Sequence, residues 1–320
     1  MIRFPATLLA VSLLLQGAPA APPAPAAPAS HVRIEDYRVA RIGYRLGLAG
    51  SLHCPIPHPL TGLLLHHLGE YDKADRRTAI LLYGLDRGPA ILAVIEDSPA
   101  ARAGLAAGDV LLAVNGQPLP APLAIALEPA GPRARAAVEA TERRLEDQLR
   151  RGPVRLSLLR SGRELAATLE SLPGCPARVR LARSGQMNAF ANRGYAIMTT
   201  ALLGFMQSDD EIAIVLGHEI AHVILGHPER LDAQGVPRQG PLRTLGANGS
   251  RVRATEEEAD RLGLRLAWAA GYDVSAAISF WRRYQGKISP RLLSTHPEPK
   301  ARERLIEEML AELASNPRSK

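Results

Sequence analysis

A chain of 320 residues is long enough for two domains of ordinary size, each able to bury its own core. Its formal charge of +7 does not describe a nucleic-acid binder. The basic residues are nearly all arginine and alternate with acidic ones in "ERRLEDQLRR" and "RERLIEEM", and aromatic residues, at 4%, are too scarce for a base-stacking platform.

Met1-Ile2-Arg3, the apolar run "FPATLLAVSLLLQGA" and Ala18-Pro19-Ala20 read as a secretory signal, residues 1–20, cut between Ala20 and Ala21. The run is shorter than the roughly 20 residues a membrane span needs, and no cysteine follows it to carry a lipid. The expectation is an exported, periplasmic chain with no integral span, membrane-associated only if the signal stays attached. Later apolar stretches are interrupted by charge, as at Asp209, Asp210, Glu211 and Glu219. Residues 21–30, "APPAPAAPAS", form a short extended tether. Cys54 and Cys175 are the two cysteines, and an even pair in an oxidising compartment points to one disulfide, with two separate buried thiols as the alternative.

Residues 31–82 form an entry region, partly helical, that closes on "EYDKADRR". From about Gly88 the pattern becomes short β-rich runs punctuated by turns: "AILAVIE", "DSPAARAGLAAGDVLLAVNGQPL" and "GPVRLSLLRSGRELAATLE". Ser98-Pro99-Ala100 opens a short helix, Gly108-Asp109-Val110 starts a strand, and Asn115-Gly116 marks a tight turn wanting left-handed backbone. With Ala103-Gly104-Leu105, these residues make 83–171 resemble a PDZ domain. The resemblance implies a peptide or C-terminal tail at a sheet edge, with its carboxylate held by a loop, here 83–90, although Pro89 in that loop cannot donate. The connection after Asn115-Gly116 is long, which places the groove helix at about 136–151. A brace for the second domain is the competing role. "SLPGCP", 171–176, ends the unit.

The second unit, 172–312, precedes a short tail at 313–320. Ser208 with Glu211 three residues on is a capping box, predicting a helix from about Asp209 to Leu225. On that helix His218 and His222 face one way with Glu219 between them, the H-E-x-x-H pattern of two zinc-binding imidazoles and a general base. A core helix has no use for these groups on an apolar background, because each needs a partner when buried. His227 is out of register for a third ligand and reads as a helix C-terminal residue favoured by the dipole. A later helix, 254–272, carries Glu256 and Asp260 four residues apart, although an acidic first turn is also ordinary helix chemistry. Residues 228–253, rich in glycine and proline, read as a lid or a long surface loop.

H-E-x-x-H followed by E-x-x-x-D resembles the zinc metallopeptidase family of the CAAX prenyl endopeptidases, the heat-shock protease HtpX and BepA-like periplasmic proteases. The resemblance implies an α+β fold: a mainly helical zincin-type domain with a small β-sheet, here preceded by the β-rich PDZ unit. It implies one Zn2+ per chain on His218, His222 and Glu256, with Glu257 and Glu258 as rivals for the third place, and Asp260 orienting a ligating histidine. It makes Glu219 the catalytic base and Asn188, Ala189 and Phe190 of "NAFANRGYAIMTTALL" the substrate-binding edge. In "STHPEPKARERL" it places His296 over the metal, as a reversible ligand or a donor to the reacting carbonyl, with Arg302 or Arg304 as the matching arginine. The family's membrane segments are missing, so the soluble exported branch is the match. The function implied is a zinc endopeptidase of unfolded or misassembled envelope proteins, with polypeptide substrates. The rivals are a PDZ adaptor or chaperone with a vestigial metal site and a zinc amidase of cell-wall peptides.

Overall fold

The computed structural model describes residues 34–54, 56–119, 132–192, 194–238, 240–285 and 299–315. The expected signal, its cut site, the tether, His296 and the end of the tail lie outside them. The fold is α+β, as the sequence implies. A β-rich unit and a mainly helical one share the chain, and no described helix is long and apolar enough to cross a membrane.

The β-rich unit is an antiparallel sheet in the order β2 (Leu63–His66), β3 (Ala90–Val94), β4 (Val110–Val114), β6 (Val154–Arg160), β7 (Arg163–Leu169). The short β5 (Gln117–Pro118) pairs with β4, while β1 (His58–Leu60) pairs with β8 (Leu172–Gly174) outside the sheet. Alternation drives the packing: Val154, Leu156 and Leu158 point into a core with Ile91, Leu111 and Leu169, while Arg155 faces solvent. Ser98 caps the four-residue α3 (Pro99–Arg102) by accepting from the Ala101 amide at 3.2 Å. Asn115 and Gly116 take φ of 50° and 74°, the geometry the turn demands. Buried Asp109 accepts the Ala106 amide and both arms of Arg160 at 2.6 Å. The groove helix α4 (Pro132–Leu149) lies close to the predicted span.

The entry region is divided between the two units. Leu63–His66 joins the sheet as its edge strand, ahead of residue 83, whereas α1 (Ile34–Ala49) buries Val39, Ile42 and Leu46 in the core of the helical unit. Residues 83–90 run from the left-handed end of α2 (Lys73–Tyr83) into β3, which has neighbours on both sides. They therefore cannot serve a free edge, and the turn that leads into the edge strand is Thr61-Gly62.

The helical unit holds a three-stranded sheet in the order β10 (Ala189–Asn192), β11 (Tyr195–Thr199), β9 (Arg178–Ala182). Against one face pack α1 and α6 (Asp209–Ile224). The short α5 (Thr200–Phe205), then α7 (His227–Ala233), α8 (Gly246–Ala269), α9 (Ala276–Gln285) and α10 (Pro299–Ser315) complete it. Cys54 and Cys175 are bonded, with Cα atoms 5.5 Å apart, pinning the end of the α1 segment to the exit of the first unit. Ser208 caps α6 at the Glu211 amide, but the Glu211 carboxylate reaches back one residue further than a capping box, to the Gln207 amide at 2.8 Å. The expected lid at 228–253 is largely ordered structure: α7, a 3-10 turn at Pro241–Arg243 and the first turns of α8.

Helices α6 and α8 cross at Gly217 and Gly263. A Cβ on Gly263 would lie 2.6 Å from the His218 amide nitrogen, and one on Gly217 would lie 2.7 Å from the Gly263 carbonyl. Gly263→Ala is therefore expected to destabilise by about 1–3 kcal/mol in urea denaturation, the cost of overpacking a tight core. Gly204→Ala, with nothing within 4 Å of the added carbon, should be neutral or stabilising.

His67 gives a pH prediction. Burial, assisted by Arg180 and opposed by Glu142, pushes its imidazole down to about 4 from 6.5. Between these values the unfolded chain binds the extra proton, so stability present above pH 6.5 is lost as pH falls towards 4, by up to about 3 kcal/mol. His67→Asn, which keeps a capping side chain at this position, should show a shallower loss of urea midpoint between pH 6.5 and 4.

Candidate metal centre

The metal-ligand candidates sit where α6 crosses α8. His218 is 4% exposed and Glu256 6%, so water solvates neither. Nε2 of His218 and of His222 lie 3.1 Å apart, and the Glu256 carboxylate reaches the first at 3.6 Å through Oε2 and the second at 3.6 Å through Oε1. Zinc bonds of roughly 2.0–2.2 Å in a tetrahedron place ligand atoms about 3.3–3.6 Å apart. The two Glu256 spacings fit that edge and the 3.1 Å between the imidazoles falls slightly inside it; together the three groups are a set able to hold one metal ion. Glu256 stands three turns into α8, so the helix-dipole explanation for an acidic first turn does not apply to it. Its rivals point elsewhere: Glu257 pairs with Arg261, and Glu258 with Arg230 and His227.

Each imidazole is held by its other nitrogen. His218 Nδ1 donates to Asp260 Oδ1 at 2.8 Å, and Arg302 grips both oxygens of the same carboxylate at 2.7 and 2.8 Å. Burial alone would raise Asp260, but Arg302 and then His218 outweigh it and hold the carboxyl down at about 2. Burial resists charging His218, yet Asp260 overrides it and pushes that imidazole up to about 10. Burial, and next the His218 charge, push His222 down to about 3, which keeps it neutral. Arg302 is 3% exposed and stacks over the Trp281 ring at 3.9 Å, whereas Arg304 is exposed and, among the described residues, donates to the Lys300 carbonyl nearby. Of the two arginines, Arg302 is the one that reaches the site.

His227 is placed differently from expectation. The chain turns at Gly226, φ 60°, so His227 does not extend α6 but starts α7 and folds back under His222. Its ring is 1% exposed; Nδ1 accepts from His222 Nδ1 at 2.7 Å and Nε2 donates to Glu258 at 3.2 Å. One tautomer satisfies the whole chain, and burial lowers the His227 pKa, favouring that neutral form. His222 is thus held by a histidine as His218 is held by an aspartate.

Glu219 is 6% exposed, beside His218 and within electrostatic reach of Tyr284 and Arg302. Asn188, Ala189 and Phe190 lie at and in β10, the end strand of its sheet, which packs on α6; Phe190 is exposed. His296 lies outside the described residues.

A helical unit with an H-E-x-x-H helix, a glutamate from a second helix and an edge strand alongside has the arrangement of a zincin-type metallopeptidase site. Residues 156–240 and 244–310 match peptidase family M48, and residues 91–124 match a PDZ domain. The second unit of the chain is thus similar to family M48 over most of its length. Among curated proteins, the beta-barrel assembly-enhancing protease of Yersinia pestis is 29% identical over 176 residues, 44% of this chain and 36% of that one. The Escherichia coli protein of the same name is 28% identical over 156 residues, 38% and 32% of the two chains. The human mitochondrial metalloendopeptidase OMA1 is 31% identical over 146 residues, 35% and 28%. The chain spans about a third of the length of the curated relatives it matches.

His227→Ala should weaken zinc binding by about 10–100-fold without unfolding the protein, because the ring that fixes His222 is gone. Competition against a chromophoric chelator measures it, and an unchanged affinity would show that His222 is oriented by other means.

Proposed function

We propose that the protein is a zinc endopeptidase that hydrolyses peptide bonds of unfolded or misassembled cell-envelope proteins after export to the periplasm. The observation that carries the reading is the convergence of His218, His222 and Glu256 on one point, with Glu219 on the same helix and the end strand β10 packed against it. The names of the relatives, proteases of beta-barrel assembly and mitochondrial metalloendopeptidases, agree with it. Zinc, when bound there, supplies a Lewis acid that activates water and polarises the scissile carbonyl.

The chain's own residues do the rest. Glu219 accepts the proton of the attacking water on its carboxylate and delivers it to the leaving amide nitrogen. Asp260 and His227 hold the two imidazoles by Nδ1, which leaves Nε2 of each turned toward the position a metal would take. An extended substrate would add a strand to β10 along Asn188–Phe190, pairing with backbone groups from Ala189 onward, since the Asn188 N–H and C=O are held by Thr199. His296 is proposed as a donor to the reacting carbonyl oxygen or a reversible ligand.

Glu219→Gln tests the assignment. Casein cleavage should fall by about 100- to 10,000-fold, the usual worth of a general base, while one zinc per chain is retained by elemental analysis. A metal-free wild type, or a Glu219→Gln enzyme of full activity, would overturn it. A preference for isolated muropeptides over casein would move the activity to cell-wall amide bonds.

A further inference from the structure

The PDZ groove lies between the free edge of β2 and the helix α4, and the second unit reaches into it. On α4, Glu142 and Glu146 stand one turn apart with side chains 12% and 13% exposed. Arg178 of β9 meets Glu146 through two nitrogens, with Nε at 2.6 Å, and Arg180 meets Glu142 while lying 3.6 Å from Glu70. Tyr195 of β11 donates to Glu142, and both guanidiniums lie over its ring at 5.4 and 5.3 Å. Val179, between the arginines, turns the other way onto α1, where a Cβ on Gly43 would meet it at 2.5 Å.

We infer that this groove is a binding site for an extended basic–apolar–basic peptide and that Arg178-Val179-Arg180 fills its acidic wall in cis. The spacings match. Alternate residues of a strand are about 6.6 Å apart, and residues four apart on a helix rise about 6 Å. A strand running along α4 therefore sets every second side chain against successive helical turns. What remains between β2, α4 and β9 is a cavity of about 110 Å³ lined by Leu63, Leu64, Leu65, Leu145 and Leu149. That is less than the roughly 150 Å³ that admits a single benzene. A peptide enters only as the two arginines leave, and Glu142 and Glu146 then select an incoming chain that restores their cations.

Charge pairs at this depth are poor sources of stability but strict about register and partner, which suits a contact that exchanges. β9 is also the parallel neighbour of β11, whose other neighbour is β10. The latch thus bears on the sheet that carries the proposed substrate edge.

The test uses the full chain and a fluorescent acetyl-Ala-Arg-Val-Arg-Leu-Ala peptide read by anisotropy. It depends on neither zinc nor hydrolysis, so its outcome is separate from that of the peptidase assignment. Arg178→Ala/Arg180→Ala should bind this peptide at least 10-fold more tightly than wild type, because the competing internal segment has lost its charges. Adding Glu142→Gln/Glu146→Gln should abolish the gain, and a peptide with glutamates in place of the arginines should bind neither form. Should the alanine pair not fold, Arg178→Lys/Arg180→Lys loosens the forked contacts and should shift affinity in the same direction by a smaller factor. Equal affinity of wild type and the folded latch variant, equal binding of the acidic peptide, or no effect of the glutamine pair would overturn the inference.

Discussion

Everything at the candidate metal centre depends on how closely α6 can approach α8. Two imidazoles and a carboxylate must come within about a tetrahedral edge of one another, yet they spring from different helices. Ordinary helix pairs stand 8–10 Å apart, and side chains at the crossing set that distance. Gly217 and Gly263 remove them, letting backbone meet backbone one residue from His218 and three from Asp260. Glu256 lies seven residues, two helical turns, before Gly263, so the crossing also fixes its reach.

Close approach in an apolar interior brings an electrostatic problem, since His218, Glu219, Glu256 and Asp260 are all nearly inaccessible to water. Isolated, each would neutralise or drive the site apart. Arg302 supplies the balancing charge from a third helix, α10, and Trp281 of α9 walls the guanidinium on its open face. Helix α10 therefore bears on the candidate site although it contributes no proposed ligand. α1 plays a comparable part on the far side, where Arg38 and Arg41 clamp Asp209 at the start of α6 at 2.5 and 2.6 Å. The helix that presents the histidines is thereby tied at its first turn to a segment that precedes the PDZ unit.

Much of this site is legible in the sequence. H-E-x-x-H and E-x-x-x-D are visible because both follow the helical period, and a period survives in one dimension. The role of His227 does not show in the sequence because it depends on a break in that period. Gly226 turns the chain, and no count along α6 shows a ring folding back beneath the helix. Arg302 and Arg304 are indistinguishable in sequence, being two apart in a basic stretch; burial alone separates them. The start of α8 was hidden by poor helix formers. Gly246 and Gly249 argue against a helix, yet Gly249 is required where a Cβ would fall 2.2 Å from the Thr244 carbonyl oxygen. Leu63-Leu64-Leu65 lacks the alternation of a half-buried strand, so β2 passed as part of the entry region.

The same logic bears on how the two units are joined. A joint meant only to be stable would bury leucines, since replacing buried ion pairs with apolar side chains is often stabilising. Instead the contact between α4 and the β9–β11 sheet is built from Arg178, Arg180, Glu142, Glu146 and Tyr195, with His58 adding a contact to Glu146 at 3.1 Å. Groups of this kind tolerate one register and lose several kcal/mol if one partner is removed, but recover it when another chain supplies the same charges. A PDZ unit joined in this way is a brace while its groove is filled from within. It becomes a receptor when a competing strand brings the matching charges.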